Sequence, residues 1–96
     1  MTTTNSRFFR AVGAAAAEVD GDTVLIAPTD RRCFGLNSTG THVWGLLPAA
    51  GATGVTTEEL VDALVEVYDV EQSTCHTEVT RLLTAMTDAG VVTSTP

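Results

Sequence analysis

Gly35 and Gly40, in the run Cys33-Phe34-Gly35-Leu36-Asn37-Ser38-Thr39-Gly40-Thr41-His42, have the spacing of a phosphate-binding loop. Such a loop wraps phosphate in backbone N–H groups and needs a lysine directly after the second glycine to reach the outer phosphates. Thr41 stands there, and the chain contains no lysine at all. A phosphate loop also needs a parallel sheet with crossover helices, which the order of elements derived below does not supply. The stretch is better explained as a strand that turns at Asn37-Ser38 into a helix carrying Trp44.

The remaining reactive side chains do not assemble into chemistry either. Cys75 and His76 are neighbours in a helical segment and point about 100° apart, so they cannot face each other as nucleophile and base. There is no C-x-x-C and no H-E-x-x-H, and two histidines and two cysteines (Cys33 and Cys75) offer too few ligands for a metal. Glu58, Asp62 and Glu66 recur at i, i+4 spacing, the pattern of a solvated helix face. With no catalytic group, no metal and no cofactor expected, binding becomes the expected role.

Charge narrows the choice of partner. Twelve acidic residues against five arginines give a formal charge of −7. Nucleic acid binding depends on cations that neutralise phosphates, so DNA and RNA are disfavoured, as is an anionic membrane surface. No apolar run of about 18 residues and no basic segment leading into an apolar one occurs, so neither a span nor an export signal is expected. The two cysteines fit reduced thiols in a cytoplasmic protein. A chain of 96 residues is enough for one small core.

The elements that must position any binding site follow from local signals. Alanine favours helix over Arg10 to Asp20, but Asp20-Gly21 is a strong hairpin signal, and Thr23 to Ala27 is a β-branched run after it. A hairpin needs a strand on each side, so Ala14 to Val19 is read as the first strand. Pro28 to Arg32 makes a second turn, and Arg32 to Asn37 runs back as a third strand. Ser38 is placed as cap of a helix from Thr39 to Leu47, which Pro48 ends. Thr56 and Glu59 form a capping box for a second helix, with Val55 and Leu60 as its hydrophobic staple. A third helix starts near Ser73, carries Cys75, Val79, Leu82, Leu83 and Met86 at helical spacing, and stops at Gly90. The Val91-Val92-Thr93 run can add a final extended piece.

These residues resemble the PqqD-like family, also called RiPP recognition elements. The resemblance rests on the Asp20-Gly21 turn, the Leu36-Asn37-Ser38-Thr39-Gly40 segment with Trp44 beyond it, the Thr57-Glu58-Glu59-Leu60 helix start, and the Gly90-Val91-Val92 close. It implies an α+β, winged helix-turn-helix-like domain, a three-stranded antiparallel sheet followed by three helices. Residues 10–93 would form it, between a flexible N-terminal segment (1–9) and a C-terminal tail (94–96).

The resemblance further implies a non-catalytic protein that binds the leader of a ribosomal precursor peptide as an added antiparallel strand. The chain looks most like the free-standing leader-binding protein of split lasso-peptide maturation systems, and it would present that leader to a separate maturation enzyme, a lasso-peptide leader peptidase. On the strand, Arg31, Arg32, Cys33, Phe34 and Gly35 are the expected contacts; on the third helix, Glu78, Val79, Arg81, Leu82 and Ala85. Winged helices also occur in small transcription regulators, which would want a basic recognition helix. The second helix here carries Glu58, Asp62 and Glu66 instead. A general protein adaptor is the other alternative.

Overall fold

A computed structural model describes residues 6–49 and 53–95. They form β1 (Arg7–Arg10), β2 (Ala15–Val19), β3 (Asp22–Ile26), β4 (Cys33–Leu36), α1 (Ser38–Leu46), α2 (Thr57–Val67), α3 (Gln72–Asp88) and β5 (Val92–Thr95). The α+β class and the three-stranded antiparallel sheet followed by three helices are as the sequence implies.

The sheet β2-β3-β4 is built by turns that the sequence signals directly. Asp20 and Gly21 have φ of 53° and 86°, positive at both central positions as a two-residue type I′ hairpin requires. This turn pairs Val19 with Asp22 and Ala15 with Ile26, and it overrides the helical preference of the alanines. On the other side of β3, Leu25 lies opposite Phe34 and Thr23 opposite Leu36. Leu25, Ala27 and Leu36 therefore share one face, and that face is buried.

Against it pack Val43, Trp44 and Leu47 around α1, Leu60, Val61 and Leu64 of α2, and Val79, Leu83 and Met86 of α3. Burying one such side chain contributes about 1.5–3 kcal/mol, so the core, fifteen buried residues among those described, dominates stability. The α2 start carries the expected capping box: Glu59 N–H donates to Thr56 Oγ1 at 3.1 Å, and Thr56 N–H donates to Glu59 Oε1 at 2.9 Å. At the end of α3, Gly90 N–H donates to Thr87 O and Val91 N–H to Met86 O, each at 3.1 Å, the paired bonds of a Schellman stop.

Two local expectations need correction. The cap of α1 is Asn37, not Ser38: Asn37 Oδ1 accepts from Gly40 N–H at 2.8 Å, and Ser38 is already helical. Both residue types cap well, and the extended backbone of Asn37 decides which one reaches the third N–H.

Strands also extend beyond the expected bounds of the domain. Residues 7–9 of the segment taken as flexible and residues 94–95 of the expected tail are strands. In the antiparallel β1–β5 pair, Arg7 lies opposite Thr95 and Arg10 opposite Val92. On the far side of β1, Phe8 exchanges backbone bonds of 2.8 and 3.0 Å with Val55, and Arg10 N–H reaches Pro48 O at 2.9 Å. The Arg10 guanidinium donates to Trp44 O at 2.7 Å and stacks 4.5 Å above the Trp44 ring, which neutralises the carbonyl end of α1. Strands of four residues have no readable period, and their partners lie far away in sequence. Residues 1–5 and 96 fall outside the described residues.

Candidate functional site

Strand β4 leaves the β3 turn in a strained way that sets its exposure. The turn closes with Ala27 N–H to Arg32 O at 2.9 Å and Arg31 N–H to Ala27 O at 3.2 Å, and Arg31 takes φ 59°. A left-handed arginine costs about 1–2 kcal/mol relative to the usual backbone. Replacing Arg31 with glycine is therefore expected to stabilise the fold by about 0.5–1 kcal/mol, read as a thermal midpoint several degrees higher. Beside it Arg32 is fixed by Asp30, with Nη2 2.8 Å from Oδ2 and the Arg32 N–H 3.1 Å from Oδ1. The Arg32 backbone N–H, and then its side chain, hold the Asp30 carboxyl below its ordinary range.

Hydrogen-bonded pairs alternate along an antiparallel ladder. The Ala27–Arg32 bond therefore makes Leu25–Phe34 and Thr23–Leu36 the bonded pairs of β3 and β4. Cys33 and Gly35 consequently turn their N–H and C=O groups away from the sheet. No described strand lies beyond β4, so these backbone groups form an open edge. Phe34 and Leu36 point inward, half-buried and buried, while the Cys33 and Gly35 positions are exposed.

Just past the end of β4 lies a cavity of about 310 Å³. Asn37, Thr39 and Gly40 at the start of α1 form one wall, and Leu64, Tyr68 and Val70 around the end of α2 form another. The third wall is α3, with Thr74, Cys75, Glu78, Val79, Arg81 and Leu82. Its lining is mostly apolar and its rim polar. Arg81 Nη1 sits 3.3 Å from Glu78 Oε2, and the Tyr68 hydroxyl is 3.3 Å from Nδ1 of His42. Burial pushes the Cys75 thiol up from its ordinary value.

The expected helix residues are thus brought together, with differences. Glu78, Arg81 and Leu82 line the cavity from exposed or half-buried positions, and Val79 is a core residue that forms part of its wall. Ala85 does not line the cavity; it lies in a neighbouring open depression with Arg81, Thr77 and Thr84. The α1 and α2 walls were missed by sequence reasoning. Tyr68, an aromatic with a polar tip at the last turn of an apolar helix face, is the one signal that pointed to them. The phosphate-loop spacing dissolves here, because Gly35 is on the open strand and the Gly40 N–H is taken by Asn37.

Among the described residues, no helix is long and apolar enough to cross a membrane, and no three His, Cys, Asp or Glu side chains are grouped to hold a metal. Of the five arginines, Arg7 and Arg10 are committed to the fold, whereas Arg31, Arg32 and Arg81 are exposed at the turn and the cavity rim.

An open strand edge and, past its end, a mostly apolar cavity are the candidate site of this small α+β domain. The chain belongs to the PqqD family: residues 22–92 match the family model described as Coenzyme PQQ synthesis protein D. Among solved structures it resembles the one described as "TbiB1 in Complex with the TbiA(beta) Leader Peptide". That chain is 26% identical, with a TM-score of 0.72 over 88% of this chain and 93% of that one. A second, "Lasso peptide synthetase B1 complexed with the leader peptide", is 20% identical, with a TM-score of 0.71 over 94% and 99%. At that identity the second likeness speaks for the fold alone. A search of curated proteins gave no significant match.

Proposed function

We propose that this chain is a non-catalytic cytoplasmic protein that captures the leader segment of a ribosomal precursor peptide as a strand beside β4. It then presents the leader to a separate maturation enzyme, in the first instance a lasso-peptide leader peptidase. The observation that carries this reading is the outward backbone of Cys33 and Gly35, in a fold shared with two proteins solved with leader peptides.

The ladder geometry supports distinct roles for successive guest residues. Guest residues opposite Cys33 and Gly35 exchange main-chain bonds with them, and their side chains cross the small outer positions of β4. Guest residues opposite Arg32, Phe34 and Leu36 turn inward, beside Phe34 and toward Leu82 and Arg81 of α3. The strand supplies affinity that is indifferent to sequence, and the inward positions and the cavity supply selectivity. Arg31, Arg32 and Arg81 favour an acidic leader and speed its encounter with a domain that is otherwise negative. Val79 contributes by shaping the wall rather than by direct contact.

Titration of the chain with a fluorescein-labelled leader peptide of a candidate ribosomal precursor tests the reading by fluorescence polarisation. Saturable binding in the micromolar to nanomolar range is expected, about −8 to −12 kcal/mol. Absence of binding at high micromolar protein would refute it. Arg81→Ala and Ala85→Glu are each expected to weaken binding about three- to tenfold, since one removes the rim cation and the other sets a carboxylate beside it. Unchanged affinity in both variants would remove α3 from the site.

A further inference from the structure

We propose that Gly35 opens a specificity subsite on the solvent-facing side of the sheet, a slot that takes one aromatic side chain of the bound leader. The inference rests on the strand-addition reading above. It concerns the face of the sheet opposite to the one that α3 and the core cover.

Glycine weakens a strand, and nothing within the protein calls for one at position 35. Its backbone is not left-handed; the described glycines with positive φ are Gly13, Gly21 and Gly90. A methyl group built on Gly35 would meet nothing within 4 Å, whereas one on Gly54 would press against backbone at 2.9 Å. A strand glycine with neither need marks a place where a ligand or another backbone comes close. Gly35 turns its N–H and C=O toward the open edge of β4, so what comes close there is an added strand.

The floor of the slot is set by alternation. Gly35 and Cys33 share their face with Val24 and Ile26, their partners on β3, and both of these are half-buried. Asp22, beside the hairpin turn, is the only charged side chain that β2, β3 and β4 place on this face. A guest residue paired with Gly35 projects its side chain onto the same face, one strand spacing from the glycine and two, about 10 Å, from Val24. A side chain branched at Cβ ends over the glycine. The flat ring of Phe, Tyr or Trp extends across the bare backbone to the Val24 methyls, the way an aromatic residue covers a cross-strand glycine. An acidic or basic side chain would gain nothing from this apolar floor.

A double-mutant cycle between Gly35→Ile and an alanine scan of the fluorescein-labelled leader tests this by fluorescence polarisation. Gly35→Ile keeps the outward N–H and C=O, fills the slot and suits a strand, so a thermal midpoint at or above that of the wild type is expected. With the wild type, replacing the slotted aromatic by alanine is expected to weaken binding about tenfold. With Gly35→Ile the same replacement should change affinity less than about threefold, because the ring no longer reaches Val24. If no leader residue is coupled to Gly35, or the coupled residue is small or charged, the slot is overturned while capture at β4 stands. A wild type that binds no leader would instead refute the capture and the slot together.

Discussion

Cys33→Pro is expected to abolish most leader binding while leaving the domain folded. The Cys33 N–H faces away from β3, so its removal breaks no ladder bond within the protein. Proline on an edge strand with its ring outward is compatible with the sheet. The guest strand, however, loses one main-chain bond and meets a pyrrolidine ring where its own backbone must lie. A lost net bond of about 0.5–1.5 kcal/mol together with that obstruction gives an expected loss of about one to two orders of magnitude. Polarisation titration reads the affinity, and a thermal melt verifies the fold. Gly35→Pro should reproduce the effect through the second outward N–H. Wild-type affinity in both proline variants would show that the peptide does not zip onto β4.

Gly54→Ala carries the largest expected effect on stability. A methyl group built at Gly54 would lie 2.8 Å from Arg7 Cβ, 2.9 Å from Phe8 O and 3.0 Å from Phe8 N. Two of these neighbours are backbone atoms, and they belong to the pair of bonds that ties Phe8 to Val55. The strand cannot yield without losing those bonds and the Arg7 contact with Gly54 O at 2.8 Å. Overpacking of this kind costs about 1–3 kcal/mol. For a domain of this size that lowers the thermal midpoint by about 5–20 °C, measurable by calorimetry. The β4 edge lies on a separate sheet, so leader affinity below the melting range should be unchanged. A midpoint within a degree of wild type would mean that β1 is not held against Gly54.

What could be read in advance was whatever chemistry is local. Asp20-Gly21 announces a left-handed turn, Thr56 and Glu59 announce a helix start, and Gly90 a helix stop, because each needs only its immediate neighbours. The same local chemistry decides Ala14 to Val19, where a two-residue turn outweighs alanine propensity. Pairing of β1 with β5 and with Val55 was not legible, since it joins residues that nothing in the sequence marks as partners. The site divides along the same line. Its strand half follows from alternation along a short segment, and its cavity does not, because three elements must converge before Asn37, Tyr68 and Arg81 become neighbours. Helical spacing groups Ala85 with Arg81, but the α3 lining of the cavity ends at Leu82 and Ala85 lies in the neighbouring depression.

The antiparallel match of Arg7 with Thr95 sets the two extremities of the domain side by side, about 5 Å apart at the backbone. Anything grafted before the first of these residues or after the second would sprout from the same spot. A fluorescent reporter or a fused enzyme would then meet a bound peptide from a similar direction whichever gene order is chosen. A linker of a few residues between Arg7 and Thr95 would also close the domain into a ring, with new termini cut at an exposed turn such as Asp20-Gly21.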